Sequence, residues 1–266
     1  MADEEQRGRI ISFFFQHIVP IYFCFEKKDK IHEFFLTSFV FSVCDYWFLI
    51  TAGHCFRQIK EEKIEKGWIL SSCSLHDCLG INARFKEPIP FPFDINKAFY
   101  FPEINNDDYS FYYGIYPLSS YFKGLFLSNN IKSLNEEVWK KQPKHIDESA
   151  LIGLPSELQK FDQGVVIGSS LIFADIVEDK PNEFRNDSLP QIYAKIQMDD
   201  GIHSIEGMSG GPLFGFRKYD NGEMRYWLLG LQSRWLPESH FIAVCPTKYI
   251  GLLLESYISK INPVVD

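Results

Sequence analysis

Short apolar runs recur along the whole chain, separated by Gly, Pro, Asn and Asp. That spacing predicts strands joined by turns and closed into a barrel or sandwich, rather than alternating strand and helix units. Two segments are expected to be helical: 131–142, "IKSLNEEVWKKQ", and 247–260, "TKYIGLLLESYISK". In the second, Ile250, Leu253, Leu254, Tyr257 and Ile258 fall on one face, a stripe that reads as core packing. The run "FLITAGHC" at 48–55 is expected to be an apolar strand that breaks at Ala52-Gly53 and presents His54 at its end.

Composition agrees with the β reading. Among 266 residues there are 25 Phe and 13 Tyr, types that favour strands, and the length suits one large domain or two barrels sharing a site. The net charge of −8 disfavours nonspecific binding to nucleic acid or anionic membrane, since both need a basic patch. The basic stretches "EKKDK" (26–30) and "KEEKIEKGW" (60–68) alternate with acids and read as solvated loops. An apolar run near the N-terminus invites a signal-peptide reading, but Asp3, Glu4 and Glu5 precede it and Gln16 and His17 interrupt it. No stretch is long enough to span a bilayer, so a cytoplasmic protein is expected.

Six cysteines (24, 44, 55, 73, 78 and 245) follow no regular framework and are expected to be free thiols in a reducing compartment. "CSLHDC" (73–78) pairs two cysteines with a single histidine and lacks a second ligand pair, so it reads as a loop, with no metal and no cofactor expected.

Candidate chemistry begins with "GMSGGPLFG" at 207–215, which crowds glycines and a proline around Ser209. Such a stretch can be a plain turn between strands. It can equally be the tight, side-chain-free loop a nucleophilic serine needs, with backbone N–H groups aimed at the attacked carbonyl oxygen. The second reading requires a base and a carboxylate. His54 supplies the base, unless it is simply a core histidine at a strand end. "NNDDYSFYYGIYPL" (105–118) supplies two aspartates, which could also be solvated loop residues. Asp108 is favoured, because Asp107 would shift the following strand by one residue and turn its side chain to the other face.

These residues carry a resemblance to the trypsin-like (chymotrypsin-fold) serine peptidases: "TAGHC" at the histidine, "DYSFYY" at the aspartate and "GMSGGP" at the serine, in that family's order. The segments 17–23, 34–43, 150–159 and 227–235 look like, in turn, the first barrel strand, the strand before the histidine, the opening of the second barrel and the substrate-pairing strand. The resemblance implies an all-β fold of two six-stranded antiparallel β-barrels with a C-terminal helix. Residues 15–118 would form the N-terminal barrel, 119–148 a linker with a short helix, and 149–266 the C-terminal barrel and helix. It further implies that His54, Asp108 and Ser209 are the catalytic residues, with the N–H groups of Gly207 and Ser209 as the oxyanion hole. Substrate would pair along Leu231 to Trp235.

Two departures narrow the resemblance. Secreted relatives tie the cysteine beside the histidine to one on the preceding strand, where this chain has Phe39; a Cys44–Cys55 bridge is conceivable but unsupported. Activated digestive relatives have an aspartate before the serine, where this chain has Met208, so the chain resembles the bacterial and intracellular branch, whose hole needs no new N-terminus. The same alignment places His203 at the base of the pocket, Ser233 and Arg234 along its side, and Trp235 where a glycine normally opens it. A shallow pocket preferring small or acidic side chains is expected. Two functions follow: a serine endopeptidase acting on polypeptides, regulated by a protein partner, or a catalytically silent barrel pair that only binds peptide.

Overall fold

The computed structural model describes residues 10, 12–76, 90–101, 113–161, 166–184, 189–198 and 201–261. The first half contributes β1 (Ile21–Lys27), β2 (Lys30–Leu36), β3 (Phe39–Val43), β4 (Tyr46–Ala52), β5 (Ile69–His76), β6 (Pro90–Pro92), β7 (Phe99–Phe101) and β8 (Tyr113–Leu118). They form two four-stranded sheets, in the orders β2-β1-β5-β6 and β3-β4-β8-β7. Alternation in β1 sends Ile21, Phe23 and Phe25 inward, where they meet Val40 and Leu49 of the other sheet.

The second half contributes β9 (Glu148–Gly153), the short pair β10 (Gln159–Lys160) and β11 (Val166–Ile167), then β12 (Ser170–Val177), β13 (Ile192–Ile196), β14 (Pro212–Lys218), β15 (Met224–Leu236) and β16 (Phe241–Pro246). Six of these close into a barrel in the order β12-β13-β16-β15-β14-β9. The helices are α1 (Gly53–Arg57), which runs on into a π-helical stretch at 58–64, then α2 (Ser120–Ser128), α3 (Glu136–Trp139) and α4 (Thr247–Ile261). The architecture is mostly β, with barrel-like halves and a C-terminal helix, as expected.

The halves share one core cluster. Phe39, Phe41, Ile50 and Tyr113 pack with Ala150, Ile152, Phe214, Leu231 and Ile250, and the Tyr113 hydroxyl donates to the Pro246 carbonyl at 2.7 Å. This explains why β3 is buried on both faces: Val40 faces the first barrel, whereas Phe39 and Phe41 face the second.

Three local expectations need correction. The helix expected over 131–142 is confined to Glu136–Trp139. Upstream of it the backbone bonds sideways: Ser42 N–H donates to Leu134 O at 3.0 Å and Leu134 N–H to Val40 O at 2.8 Å, which leaves no helical ladder. The Asn135 side chain then caps the short helix by accepting from Glu137 N–H at 3.2 Å. Second, the apolar run at 34–43 is two strands in different sheets, broken at Thr37-Ser38, whose hydroxyls donate to the carbonyls of Gly207 and Val19. Third, the buried face of α4 is Thr247, Ile250, Gly251, Leu254 and Ile258, while Leu253 and Tyr257 are 38% and 62% exposed. The stripe centres on Gly251 because the fully buried Trp139 ring lies against it, where a Cβ would collide with the indole.

Candidate active site

The histidine comes first in the chain. Strand β4 is buried from Trp47 to Ala52, and the backbone then turns into α1 through Ala52, an extended N-cap, so that His54 projects from the first turn. His54 is half-buried, and its pKa falls to about 4. Burial is the main cause, and the positive charges of Arg57 and Arg234 add to it. At neutral pH the ring is therefore uncharged, as a general base must be. Its neighbour Cys55 is fully packed, with its thiol pushed up to about 12 by burial, which makes it a packing residue rather than a nucleophile. Below α1 lies Gly114, where a Cβ would come within 2.7 Å of the Phe56 ring and 3.1 Å of Ala52 O. Only glycine lets α1 settle there.

The serine loop explains its own glycines. Gly207 has φ +87°, and a Cβ there would meet Ser156 Oγ at 2.6 Å and Leu154 O at 2.7 Å. Gly210 has φ +90°, and a Cβ would meet Thr37 O at 2.7 Å and Ala52 N at 2.8 Å. Gly211 has no room for a side chain over Ile152 O. All three are needed because the loop is pressed against β9 and the turn after it in its own barrel, and against β4 and Thr37 of the other. Met208 is fully buried in the second barrel's core, so at this position no carboxylate reaches for an amino group.

Backbone bonds hold the loop in one shape. Gly210 N–H donates to Gln232 O at 2.8 Å, Gln232 N–H to Gly211 O at 2.9 Å, and Ser156 N–H to Glu206 O at 2.7 Å. The last bond turns the Glu206 carbonyl toward Ser156, so the Gly207 N–H on the same trans peptide points the opposite way. Among the described residues, neither Gly207 N–H nor Ser209 N–H has an acceptor.

Histidine turn and serine loop meet directly. Cys55 Sγ lies 3.9 Å from Ser209 O, and Gly210 sits against Thr51 and Ala52, the two residues before α1. Thr37 joins these parts: its hydroxyl donates to Gly207 O at 2.7 Å and accepts from Leu154 N–H at 3.0 Å, while its carbonyl accepts from Thr51 Oγ1 at 2.7 Å. Sequence reasoning passed over Thr37. Its signal was a polar pair, Thr37-Ser38, inside an apolar run. Asp107 and Asp108 lie outside the described residues.

The residues expected in a specificity pocket take varied positions. His203 is exposed, and its backbone N–H donates to the Glu157 carboxylate at 2.9 Å. Ser233 is buried at a bulge in β15 and donates to Ala243 O at 3.1 Å. Arg234 is half-buried, its guanidinium 5.2 Å from the Phe184 ring centre. Trp235 is half-buried against the second barrel's core, with its indole N–H enclosed and without a partner among the described residues. Among the described residues, β15 beyond Gln232 pairs only with β16, which leaves one edge of the strand open beside the serine loop.

This double-barrel architecture is that of chymotrypsin-like proteases. No protein-family profile and no curated protein sequence matches the chain. Among solved structures, the inactivated protease paralogue S-I1 of the scabies mite superposes with a TM-score of 0.50 at 13% identity, over 92% of this chain and 95% of that one. A thermostable serine protease, AL20, from an extremophilic microorganism gives 0.46 at 14% identity, over 93% and 98% of the two chains. Tobacco etch virus protease gives 0.43 at 12%, over 91% and 78%. At such identities the likeness is one of fold. No helix among the described residues is long and apolar enough to cross a membrane.

Proposed function

We propose that this chain is a serine endopeptidase in which His54 removes the proton from Ser209 as it attacks a peptide carbonyl, forming an acyl-enzyme that water then hydrolyses. Asp108 would hold the imidazole in the right tautomer, and the N–H groups of Gly207 and Ser209 would receive the oxyanion. The observation that carries this reading is the serine loop itself: a turn with two uncommitted N–H groups, pressed against the end of the strand that delivers a neutral histidine. Such a hole needs no newly made N-terminus, since Met208 occupies the place of the residue that would answer to one. Substrate would lie along the open edge of β15. A position near His54 for Arg234, with bulky Trp235 beside it, supports small or acidic side chains before the cut bond. Cys24, Cys44, Cys55 and Cys73 are unbridged thiols, which supports a reducing, cytoplasmic setting.

A second reading is a barrel pair that binds peptide without cutting it. The observation in its favour is the company of His54, because two guanidinium groups and burial leave a base near 4, weak for taking a serine proton. Labelling of the purified protein with a fluorophosphonate separates the two. The endopeptidase reading expects covalent labelling that Ser209→Ala abolishes, together with a loss of peptide hydrolysis of about 10⁴-fold or more and an unchanged melting temperature. An unlabelled parent, or an alanine variant that still cleaves, overturns it.

A further inference from the structure

Among the described residues, strand β2 stands at the edge of its sheet, paired only with β1. At its end the backbone of Phe35 has an unusual partner. Its N–H donates to Gln159 Oε1 at 3.1 Å, and its carbonyl lies 3.5 Å from Gln159 Nε2. One side-chain amide thus meets both backbone groups of a residue on an open strand edge, which is what the peptide group of an added strand would do. The same amide nitrogen donates to Leu154 O at 3.1 Å, and Phe161, two residues on, stacks on the Phe35 ring at 5.9 Å.

Strand periodicity extends the argument outward. If the Phe35 N–H and C=O face away from β1, those of Glu33 and Ile31 face the same way. No strand among the described residues covers them. Proteins usually protect such an edge with proline, a bulge or a charge; here the Glu33 carboxylate is engaged by the Tyr22 hydroxyl, and Ile31 is 69% exposed. The edge also begins at the candidate site: Thr37, one residue past β2, donates to Gly207 O, while Gln232 of β15 accepts from Gly210 on the other side of the loop. A chain lying on β15 up to Ser209 would leave past Thr37 and reach Phe35 first.

We propose that the edge of β2 from Phe35 to Ile31 receives, as an added strand, the part of a polypeptide substrate on the leaving-group side of the cut bond, and that the Gln159 amide is a displaceable placeholder for its first peptide group. This rests on the peptidase reading for the direction of the chain. Gln159 then sets how strongly extended substrates bind compared with short ones. Removing it spares the incoming strand the displacement of an existing hydrogen-bonded amide.

The test uses binding, so that failure of hydrolysis does not decide it. In a Ser209→Ala background, a fluorescein-labelled random decapeptide pool is titrated by anisotropy against proteins with and without Gln159→Ala, each first checked for an unchanged melting temperature. The same titration is run with a pool N-methylated at alternate residues, which cannot pair as a strand. Expected is binding about five- to tenfold tighter without Gln159, roughly the worth of one amide hydrogen bond, and loss of that gain on N-methylation. Slowed amide hydrogen exchange at Ile31 and Glu33 on adding peptide locates the strand. Equal or weaker binding without Gln159, a gain that survives N-methylation, or protection of Ile31 and Glu33 that tracks protein dimerisation in the absence of peptide overturns the proposal. Absence of fluorophosphonate labelling with the binding pattern intact would sink the peptidase reading alone.

Discussion

Single atoms decide most of what happens around Ser209. A methyl group at position 210 has to enter space held by Thr37 O, Ala52 N and the Thr51 hydroxyl, on a backbone at φ +90° that side chains rarely adopt. Gly210→Ala is therefore expected to destabilise the fold by more than about 2 kcal/mol, measured by urea unfolding; a change near zero would show that the loop does not sit between the two barrels as described. The aspartates call for a kinetic measurement. Asp108→Asn is expected to lower kcat by about 10⁴-fold while Asp107→Asn stays within a few-fold of the parent. The pH profile adds a sign. Burial, Arg57 and Arg234 hold His54 near 4, and a carboxylate accepting from its ring acts in the opposite sense. The acid limb of kcat/KM should consequently move to lower pH in Asp108→Asn, and a limb that stays in place counts against Asp108.

Helices illustrate how far local pattern carries. The α4 stripe was right in period but displaced in phase, since Trp139 and Gly251 select which residues turn inward. The α2 helix carries a glycine in its middle, Gly124, exposed and with nothing within 4 Å of where a Cβ would stand. Here a side chain meets no obstacle and only the backbone entropy of glycine remains. Gly124→Ala is expected to stabilise the protein by about 1 kcal/mol, opposite in sign to Gly210→Ala, as read from the same urea titration.

Buried histidines tie the fold to pH. His17 is 3% exposed where the N-terminal segment meets the linker, its Nδ1 2.8 Å from Lys132 O, and burial lowers its pKa to about 4. His76 is 7% exposed on β5, bonded to Ser74, and is lowered to about 4 by the same cause. In the unfolded chain both return to the ordinary value of about 6.5. The unfolded state thus takes up protons first, so stability is full above about pH 6.5 and declines as pH falls toward 4. Roughly 3 kcal/mol per histidine is at stake. Unfolding free energies at pH 7 and pH 4.5 check this: the His17→Gln variant should lose less on acidification than the parent, and an identical loss would remove His17 from the account.

Barrel class, the C-terminal helix and the glycine loop were legible in the chain because each depends on local properties: the period-two alternation of β1, the helical period after Thr247, and residue types that tolerate positive φ or close approach. The reason for the glycines was not legible. Gly210 is confined by Thr37 and Ala52 from the other barrel, contacts that exist only after the halves pack together, and Gly207 by Leu154 and Ser156, distant in sequence within its own half. The same holds for Thr37, which read as a minor interruption in an apolar run yet bonds Gly207 and Leu154 across more than a hundred residues of sequence. Residues 131–135 depart from the expected helix because their backbone finds partners elsewhere, Lys132 on Gln16 and Leu134 on β3, rather than within their own segment. Propensity and spacing act over a few residues, whereas long-range hydrogen bonds and shared burial select among the alternatives they leave, and only the assembled tertiary structure can make that choice.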